Sequence, residues 1–291
     1  MSDDSVFRCW LSGTLSRPDG GRYWHLLLKQ VIARRSDVLA DLQACVQRAH
    51  DDARRHLRQV AGTPLDPLGA DDPDPAEGYP ERLHPITLQG YFGEVFAGLV
   101  AQEFSPFDED GWQVPAFLFR FHMVAFQQLD RLARSGGEAT PIPGRTGNDC
   151  LAFRRGPEGE LVGHLVCEAK CTPDHDSHWI AEAHEQVSSP ELRPVDLLQV
   201  IDILRETDGQ EARQWVECLR KLYLSPHTST SERSDLVVYL CGRSPVRGTQ
   251  QTWMDTARPH ARYTGGRRLQ AVEVHLSDVT NLIRLVYGVE D

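Results

Sequence analysis

Two short extended segments joined by a turn place the strongest constraint on the fold of this chain. Residues 149–154 and 161–170 are rich in apolar residues, and the intervening RGPEGE carries two glycines and a proline. This pattern predicts a β-hairpin whose loop is longer than the tightest turns. Downstream, the continuous apolar run DLVVYLC (235–241) predicts a buried strand, and the alternating LQAVEVHL (269–276) predicts another.

Helical patterns and capping residues surround these strands. Helices are predicted at 22–60, from Thr87 to about Phe104, from about Pro115 to Arg134, at about 191–206, at 210–224, and at 278–287 after Ser277. Residues 62–85 contain six prolines and a run of acids, a composition that resists regular structure. The chain therefore divides into a helical N-terminal region with a Pro/Asp-rich linker (1–85) and a second domain (86–291). The fold class is α/β, with a small mixed β-sheet flanked by helices.

The cysteines and the apolar runs indicate the cellular compartment of the chain. Seven scattered cysteines form no CxxC pair, which favours free thiols in a reducing compartment. The acidic N-terminus lacks the pattern of a secretory signal, and no apolar run approaches the roughly 20 residues that span a bilayer. We therefore expect a cytoplasmic protein without a membrane partner.

The charge of the chain is unevenly distributed. The net charge is −11, which does not favour nucleic-acid binding, but residues 243–268 carry six arginines and one acid. The candidate phosphate-binding arginines are Arg243, Arg247, Arg258, Arg262, Arg267 and Arg268. Trp253 and Tyr263 lie in the same segment and could stack on bases. The alternatives are a solvated arginine-rich loop and aromatic side chains that pack into the protein.

Two acids and a lysine occupy matching ends of the hairpin. Asp149 opens the first strand, and Glu168 and Lys170 close the second. In an antiparallel pair the start of one strand lies beside the end of the next, and residues i and i+2 share a face. Two carboxylates can hold Mg²⁺ together with waters and a substrate phosphate, and the metal can activate a bound water. Lys170 could orient that water or stabilise charge on the phosphate.

Glu94 is the fourth candidate, contributed by the helix before the hairpin. This helix contains Gly90, Gly93 and Gly98, each with a propensity cost of up to ~1 kcal/mol relative to alanine. Three glycines in one helix suggest close approach to another backbone.

The segments GYFGEVFAGLVA, TGNDCLAF and HLVCEAKC together resemble the PD-(D/E)XK nuclease superfamily. The resemblance covers roughly residues 86–276 and implies a restriction-endonuclease-like core. It implies that Glu94, Asp149 and Glu168 bind Mg²⁺ or Mn²⁺ and that Lys170 is the catalytic lysine. It also allows an accessory glutamine on a following helix. Gln199 is the candidate for that position, although Gln186 is closer in sequence.

The resemblance predicts a metal-dependent nuclease that hydrolyses phosphodiester bonds in DNA. The order of elements further resembles anti-phage defence nucleases that pair with a helicase or other ATPase, which suggests defence or restriction as the role. One alternative is a catalytically silent, nuclease-like DNA-binding or assembly subunit. Others are a protein-interaction module using residues 22–60, or a hairpin that bears only a surface ion pair between Glu168 and Lys170.

Other chemistry is possible near the hairpin. The loop TPDHDSHW offers Asp174, His175, Asp176 and His178 as transition-metal ligands, or is simply polar. Cys167 and Cys171 flank the Glu-x-Lys sequence, but a nucleophilic cysteine needs a histidine partner and an electropositive pocket. The absence of GxxxxGK[ST] and GxGxxG sequences argues against nucleotide hydrolysis.

Overall fold

A computed structural model describes residues 5–18, 21–61, 74–191, 193–227, 230–246 and 251–289. Within these residues, seven strands form one mixed β-sheet. The strands are β1 (Leu11–Ser16), β2 (Tyr23–Gln30), β3 (Trp112–Gln113), β4 (Cys150–Arg155), β5 (Leu161–Thr172), β6 (Glu232–Cys241) and β7 (Leu269–His275). The spatial order is β1-β2-β7-β6-β5-β4-β3.

Strand direction changes at both edges of the sheet. The four central strands β2, β7, β6 and β5 are parallel. β1 joins β2 as an antiparallel partner, and β4 and β3 continue antiparallel from β5. The β4–β5 pair is the predicted hairpin, with Cys150 opposite Cys167.

Helices cover both faces of the sheet. They are α1 (Val6–Trp10), α2 (Arg35–Ala61), α3 (Pro85–Glu103), α4 (Met123–Ser135), α5 (Ser177–Val187), α6 (Leu197–Glu206), α7 (Gln210–Leu224) and α8 (Val279–Tyr287). None of the helices in the described ranges is long and apolar enough to cross a membrane.

Two apolar layers sandwich the sheet. On one face, α2, α3 and α8 pack with residues such as Phe92, Leu165 and Val238. On the other, α5, α6 and α7 pack with residues such as Trp215 and Tyr239. β6 is buried on both sides, which explains why residues 236–241 are continuously apolar rather than alternating.

The predicted α/β class and the mixed sheet flanked by helices are confirmed, but the helical N-terminal region is partly wrong. Residues 23–30 form β2 instead of the start of a helix, and the long helix begins at Arg35. The run YWHLLLKQ fits either period, and parallel pairing with β7 decides its conformation. The sheet runs across residue 85 because β1 and β2 belong to it, and the domain division stays a prediction.

Other boundaries also differ. The helix predicted from Pro115 begins at Met123, because residues 115–118 form neither helix nor strand and a 3₁₀ turn spans Phe119–Phe121. His84, not Thr87, caps α3, since its ring accepts a hydrogen bond from the Ile86 N–H. Asp278, not Ser277, caps α8. Residues 62–73 of the predicted linker lie outside the described residues.

Candidate active site

A cleft opens at the edge of the sheet where β4 begins. The β4–β5 ladder starts at the Cys150–Cys167 pair, so residues 168–172 of β5 extend past β4 and pair only with β6. This gap lets side chains from both faces of the sheet meet. The cleft has a volume of about 670 Å³ and is lined by α3, the segment before β4, the end of β5, and α5.

All four predicted site residues line this cleft. They are Glu94, Asp149, Glu168 and Lys170. The structure therefore brings together a helical acid and the two ends of the hairpin.

The hairpin ends meet as the strand geometry predicts. The Asp149 carboxylate accepts a hydrogen bond of 2.8 Å from the Ala169 N–H. This side-chain hydrogen bond follows directly on the backbone pairing of β4 with β5. Glu168 and Lys170 share a face, and the Lys170 Nζ lies 3.1 Å from a Glu168 oxygen. Two carboxyl groups and an ammonium group thus converge just before the start of β4.

Gly93 lets α3 approach β5 closely enough to deliver Glu94. A Cβ atom at Gly93 would lie 3.4 Å from the Cβ of Cys171, at the near limit of ordinary contact, so α3 packs closely on β5 at this point. Gly98 is also explained by close approach, because its Cβ would lie 2.7 Å from the ring of Phe117. A Cβ atom at Gly90 would have no other described residue packed against it within 4 Å, so close packing does not explain this glycine.

The three acids share a strongly unfavourable electrostatic environment. Burial raises the pKa of Glu168 well above its usual range, and the Asp149 carboxylate raises it further. Burial raises the pKa of Glu94 in the same way, with Asp149 again the next cause. Burial also raises the pKa of Asp149, against the hydrogen bond from Ala169 and the charge of Lys170. The ionised forms of all three acids are therefore disfavoured unless a cation compensates their charge.

Glu94 also has an unmet hydrogen-bonding group. Its Oε2 atom is buried and has no hydrogen-bond partner among the described residues. A buried carboxylate oxygen without a partner is costly, and a bound cation would satisfy it. The residues present thus fit a divalent metal on two counts, the orphaned oxygen and the concentrated carboxylate charge.

The carboxylates are not arranged as a closed metal cage. Among the residues that the structure describes, no group of three or more His, Cys, Asp or Glu side chains could hold a metal ion as it stands. Mg²⁺ is usually bound by only one or two carboxylates, with waters and substrate phosphate completing its octahedron. Asp149 and Glu168 suffice for that mode.

Helix α5 supplies a wall of the cleft that the sequence patterns did not predict. Trp179, Glu182 and Gln186 line the cleft, at the i, i+3, i+7 spacing of one helical face. A Glu182 oxygen lies 2.8 Å from the Lys170 Nζ, so the ammonium sits between two carboxylates. The Trp179 ring lies 5.6 Å from the same ammonium. The spacing of these three residues was the available signal.

The accessory glutamine is placed differently from the prediction. Gln199 lies on α6 and is not among the residues that line the cleft, whereas Gln186 of α5 is. The closer alternative in sequence is therefore the one with access to the site.

The alternative metal ligands of the loop after β5 point in different directions. The Asp174 carboxylate pairs with Arg243 at 2.6 Å, and the His175 ring stacks on Trp253 at a centroid distance of 3.9 Å. Asp176 caps α5 by accepting from the His178 N–H. These contacts give Asp174, His175 and Asp176 structural partners instead of a common metal, and the His178 ring lies 3.4 Å from a Glu182 oxygen.

Cysteine chemistry is equally unsupported. Cys167 is fully buried in the core. Its side chain lies on the other face of β5 from that of Glu168, because neighbouring strand residues point to opposite faces. Burial raises the pKa of Cys167 and of Cys171 above the usual thiol range, which disfavours the reactive thiolate.

The arginine-rich segment is folded onto the protein by ion pairs. Each of its arginines in the described residues lies within 3.1 Å of an acid. The pairs are Arg243–Asp174, Arg258–Asp255, Arg262–Glu185, Arg267–Asp235 and Arg268–Glu109. Arg247 lies outside the described residues. The ion pairs reduce the positive charge that this segment can offer to phosphates.

The aromatic residues of this segment are also anchored. The Tyr263 hydroxyl donates to a buried Asp235 oxygen at 2.8 Å, and the Trp253 indole N–H donates to the Arg243 carbonyl. The Trp253 and Met254 backbone N–H groups both donate to the buried carboxylate of Glu273. Packing therefore accounts for both rings.

No protein-family model matches this chain, and no curated protein matches it significantly.

Proposed function

We propose that the protein is a divalent-metal-dependent nuclease that hydrolyses phosphodiester bonds in DNA. One observation carries the proposal. Glu94, Asp149, Glu168 and Lys170 come from three separate stretches of sequence and line a single open cleft. A surface ion pair between Glu168 and Lys170 would require neither the buried Glu94 nor the opening beside β4.

Asp149 and Glu168 would hold Mg²⁺ or Mn²⁺, with Glu94 completing or orienting the ligand set. The metal, when bound, would acidify a water molecule and polarise a phosphate oxygen. The carboxylates contribute the negative charge that attracts the cation, and their raised pKa values mean that cation binding displaces protons.

Lys170 would act on the phosphate. Burial tends to lower its pKa, but the Glu168 and Glu182 carboxylates outweigh that effect and raise it overall. The side chain therefore stays a cation. It can stabilise charge that develops on the phosphate, with Glu182 fixing its direction.

The finer parts of the proposal depend on the sequence resemblance. A hairpin that carries the acids and Glu-x-Lys, next to a helix that carries a glutamate, is compatible with a restriction-endonuclease-like core. The same resemblance suggests a role in anti-phage defence or restriction, together with a helicase or ATPase partner. Such a partner would also supply positive surface that this acidic chain, with its paired arginines, lacks.

The proposal is tested by incubating the purified protein with plasmid, linear and single-stranded DNA in Mg²⁺ or Mn²⁺. We expect cleavage that EDTA abolishes and that Glu168→Ala and Lys170→Ala both abolish. Glu185→Ala is the control, because Glu185 lies on α5 but is exposed and pairs with Arg262. DNA binding without cleavage would instead indicate a silent, nuclease-like subunit. Cleavage that persists in the folded Glu168→Ala and Lys170→Ala variants would refute the assignment of the site.

A further inference from the structure

A buried arginine stands four residues before Asp149 in the wall of the cleft. The Arg145 side chain is only 7% exposed, and it lines the cleft together with its neighbours Gly144, Thr146 and Gly147. Burying a guanidinium group is costly unless it is paired and hydrogen-bonded. The partners of the Arg145 guanidinium group should therefore indicate its function.

Asp196 holds this segment in place. Asp196 is 3% exposed, and its Oδ2 accepts a hydrogen bond of 2.6 Å from the Asn148 N–H. The same oxygen lies 3.4 Å from Arg145 Nη1. Gly147 has a φ of +120°, and a Cβ atom there would lie 2.3 Å from the Asp196 carboxylate. Only glycine allows the chain to wrap this closely around Asp196 immediately before Asp149.

The guanidinium group of Arg145 is only partly used. Nη1 donates to the Thr146 carbonyl at 3.2 Å, and Nη2 donates to the Asn148 carbonyl. The Nε–H group is buried and has no hydrogen-bond partner among the described residues. A buried, charged donor without a partner, on a residue that lines the cleft, indicates an anionic ligand.

The positive charge of Arg145 reaches the acid cluster. It lowers the pKa of Glu94 and of Asp149, although burial and the neighbouring groups have larger effects. Burial lowers the pKa of His122, which lines the same cleft, and the charge of Arg145 lowers it further. Arg145 therefore lies where a phosphate held near Asp149 and Glu168 would meet it.

We infer that Arg145 is the phosphate-binding residue of the cleft and that Asp196 is its positioning residue. The identity of the ligand as a nucleic-acid phosphate depends on the proposed function. The guanidinium fork donates planar, paired hydrogen bonds to phosphate oxygens, which a lysine ammonium cannot reproduce. Asp196 fixes the fork and, through Asn148, the start of the strand that bears Asp149.

A simpler role for Arg145 would be that of a counter-ion for the three acids. Arg145→Lys separates the two roles, because it keeps the positive charge and removes the fork. Asp196→Asn keeps an acceptor for the Asn148 N–H and removes the ion pair with Arg145. Arg134→Gln is the control, since Arg134 is an exposed arginine of α4 that pairs with Asp130 at the protein surface.

Two probes are used with wild type and each variant. Inorganic phosphate binding is followed by ³¹P NMR, and binding of a fluorescent oligonucleotide with a free 5′-hydroxyl is followed by anisotropy, both with Ca²⁺ present. The oligonucleotide carries only internal diesters, so the two probes distinguish a diester site from a terminal-phosphate site. We expect Arg145→Gln and Arg145→Lys to weaken binding about tenfold to a hundredfold, the range for hydrogen bonds to charged groups. Arg134→Gln should change it less than about twofold.

The positioning role of Asp196 has its own readout. We expect Asp196→Asn to weaken binding in the wild-type background and to have no further effect in the Arg145→Gln background, because the two residues act through one contact. A purely structural role would instead give additive losses and a lower melting temperature in both backgrounds.

The outcomes separate this inference from the proposed function. DNA cleavage by wild type, with Arg145→Gln and Arg145→Lys binding both probes as wild type does, would overturn the inference and leave the nuclease in place. Phosphate binding that depends on Arg145, without any cleavage, would support the anion site and count against the nuclease. Binding of neither probe by wild type would overturn the inference as well. If Arg145→Gln fails to fold, Arg145→Lys decides.

Discussion

Replacing Glu168 with glutamine should stabilise the protein when divalent cations are absent, and the gain should grow with pH. The Glu168 side chain is 8% exposed, and its pKa is raised by burial and by Asp149. The folded protein therefore keeps a proton that the unfolded chain releases above its ordinary pKa of about 4.3. Because the folded state binds more protons, its stability falls as pH rises from that value towards the folded pKa. Glutamine removes this penalty at nearly constant shape.

The magnitude follows from one proton and one lost ion pair. Each pH unit between the pKa of the unfolded chain and the raised pKa of the folded protein costs about 1.4 kcal/mol for one retained proton. The substitution also removes the 3.1 Å contact with Lys170, at a cost of ~1 kcal/mol or less, since Lys170 keeps Glu182 at 2.8 Å. Each kcal/mol of net gain corresponds to a melting temperature about 2–4 °C higher, so the difference in melting temperature should widen as pH rises.

Thermal unfolding followed by circular dichroism in EDTA, from about pH 5 to about pH 8, measures this gain. Glu185→Gln is the matched control, because that carboxylate is exposed on α5 and its loss should change stability by less than about 0.5 kcal/mol. A gain that does not vary with pH, or a Glu168→Gln protein that melts below wild type near neutral pH, would refute the reasoning. Either result would mean that Glu168 is ionised and well satisfied without a cation.

Three further substitutions test how Lys170 is positioned and how α3 packs. Glu182→Gln removes the 2.8 Å partner of Lys170, and we expect kcat for DNA cleavage to fall about tenfold with KM little changed, as measured by steady-state kinetics. A change in KM alone would contradict a positioning role. Gly98→Ala should cost about 1–3 kcal/mol in urea unfolding, because its Cβ would lie 2.7 Å from the Phe117 ring. Gly90→Ala, with nothing within 4 Å, should instead gain up to ~1 kcal/mol, and equal effects at the two glycines would contradict the packing argument.

Local rules explain why the acids of the hairpin could be predicted. Strand pairing places Asp149 beside the end of β5, and the two-residue period places Glu168 and Lys170 on one face. Glu94 became a candidate because its helix contains three glycines, which suggested close approach to another backbone. The close packing of Gly93 on β5 agrees with that expectation. These features depend on short sequence separations and fixed backbone geometry.

Nonlocal contacts explain what could not be predicted. β2 becomes a strand because it pairs with β7, which lies more than 200 residues away in sequence. Helix α5 was obscured by small core residues such as Ala181 and Ala183 and by the polar segment before it. The ion pairs of the arginine-rich segment join distant residues, such as Arg268 and Glu109, and no sequence period reports them.

In the proposed function, Glu94 acts together with the hairpin residues in metal-dependent cleavage. The most direct test compares wild type, Glu94→Gln and Glu185→Gln for cleavage of an end-labelled DNA in Mg²⁺, with melting curves showing that each protein is folded. Glu94→Gln preserves shape and removes one charge from the cluster. We predict that wild type and Glu185→Gln cleave at equal rates and that the folded Glu94→Gln protein loses activity at least about a hundredfold. Cleavage by Glu94→Gln at the wild-type rate would contradict the account.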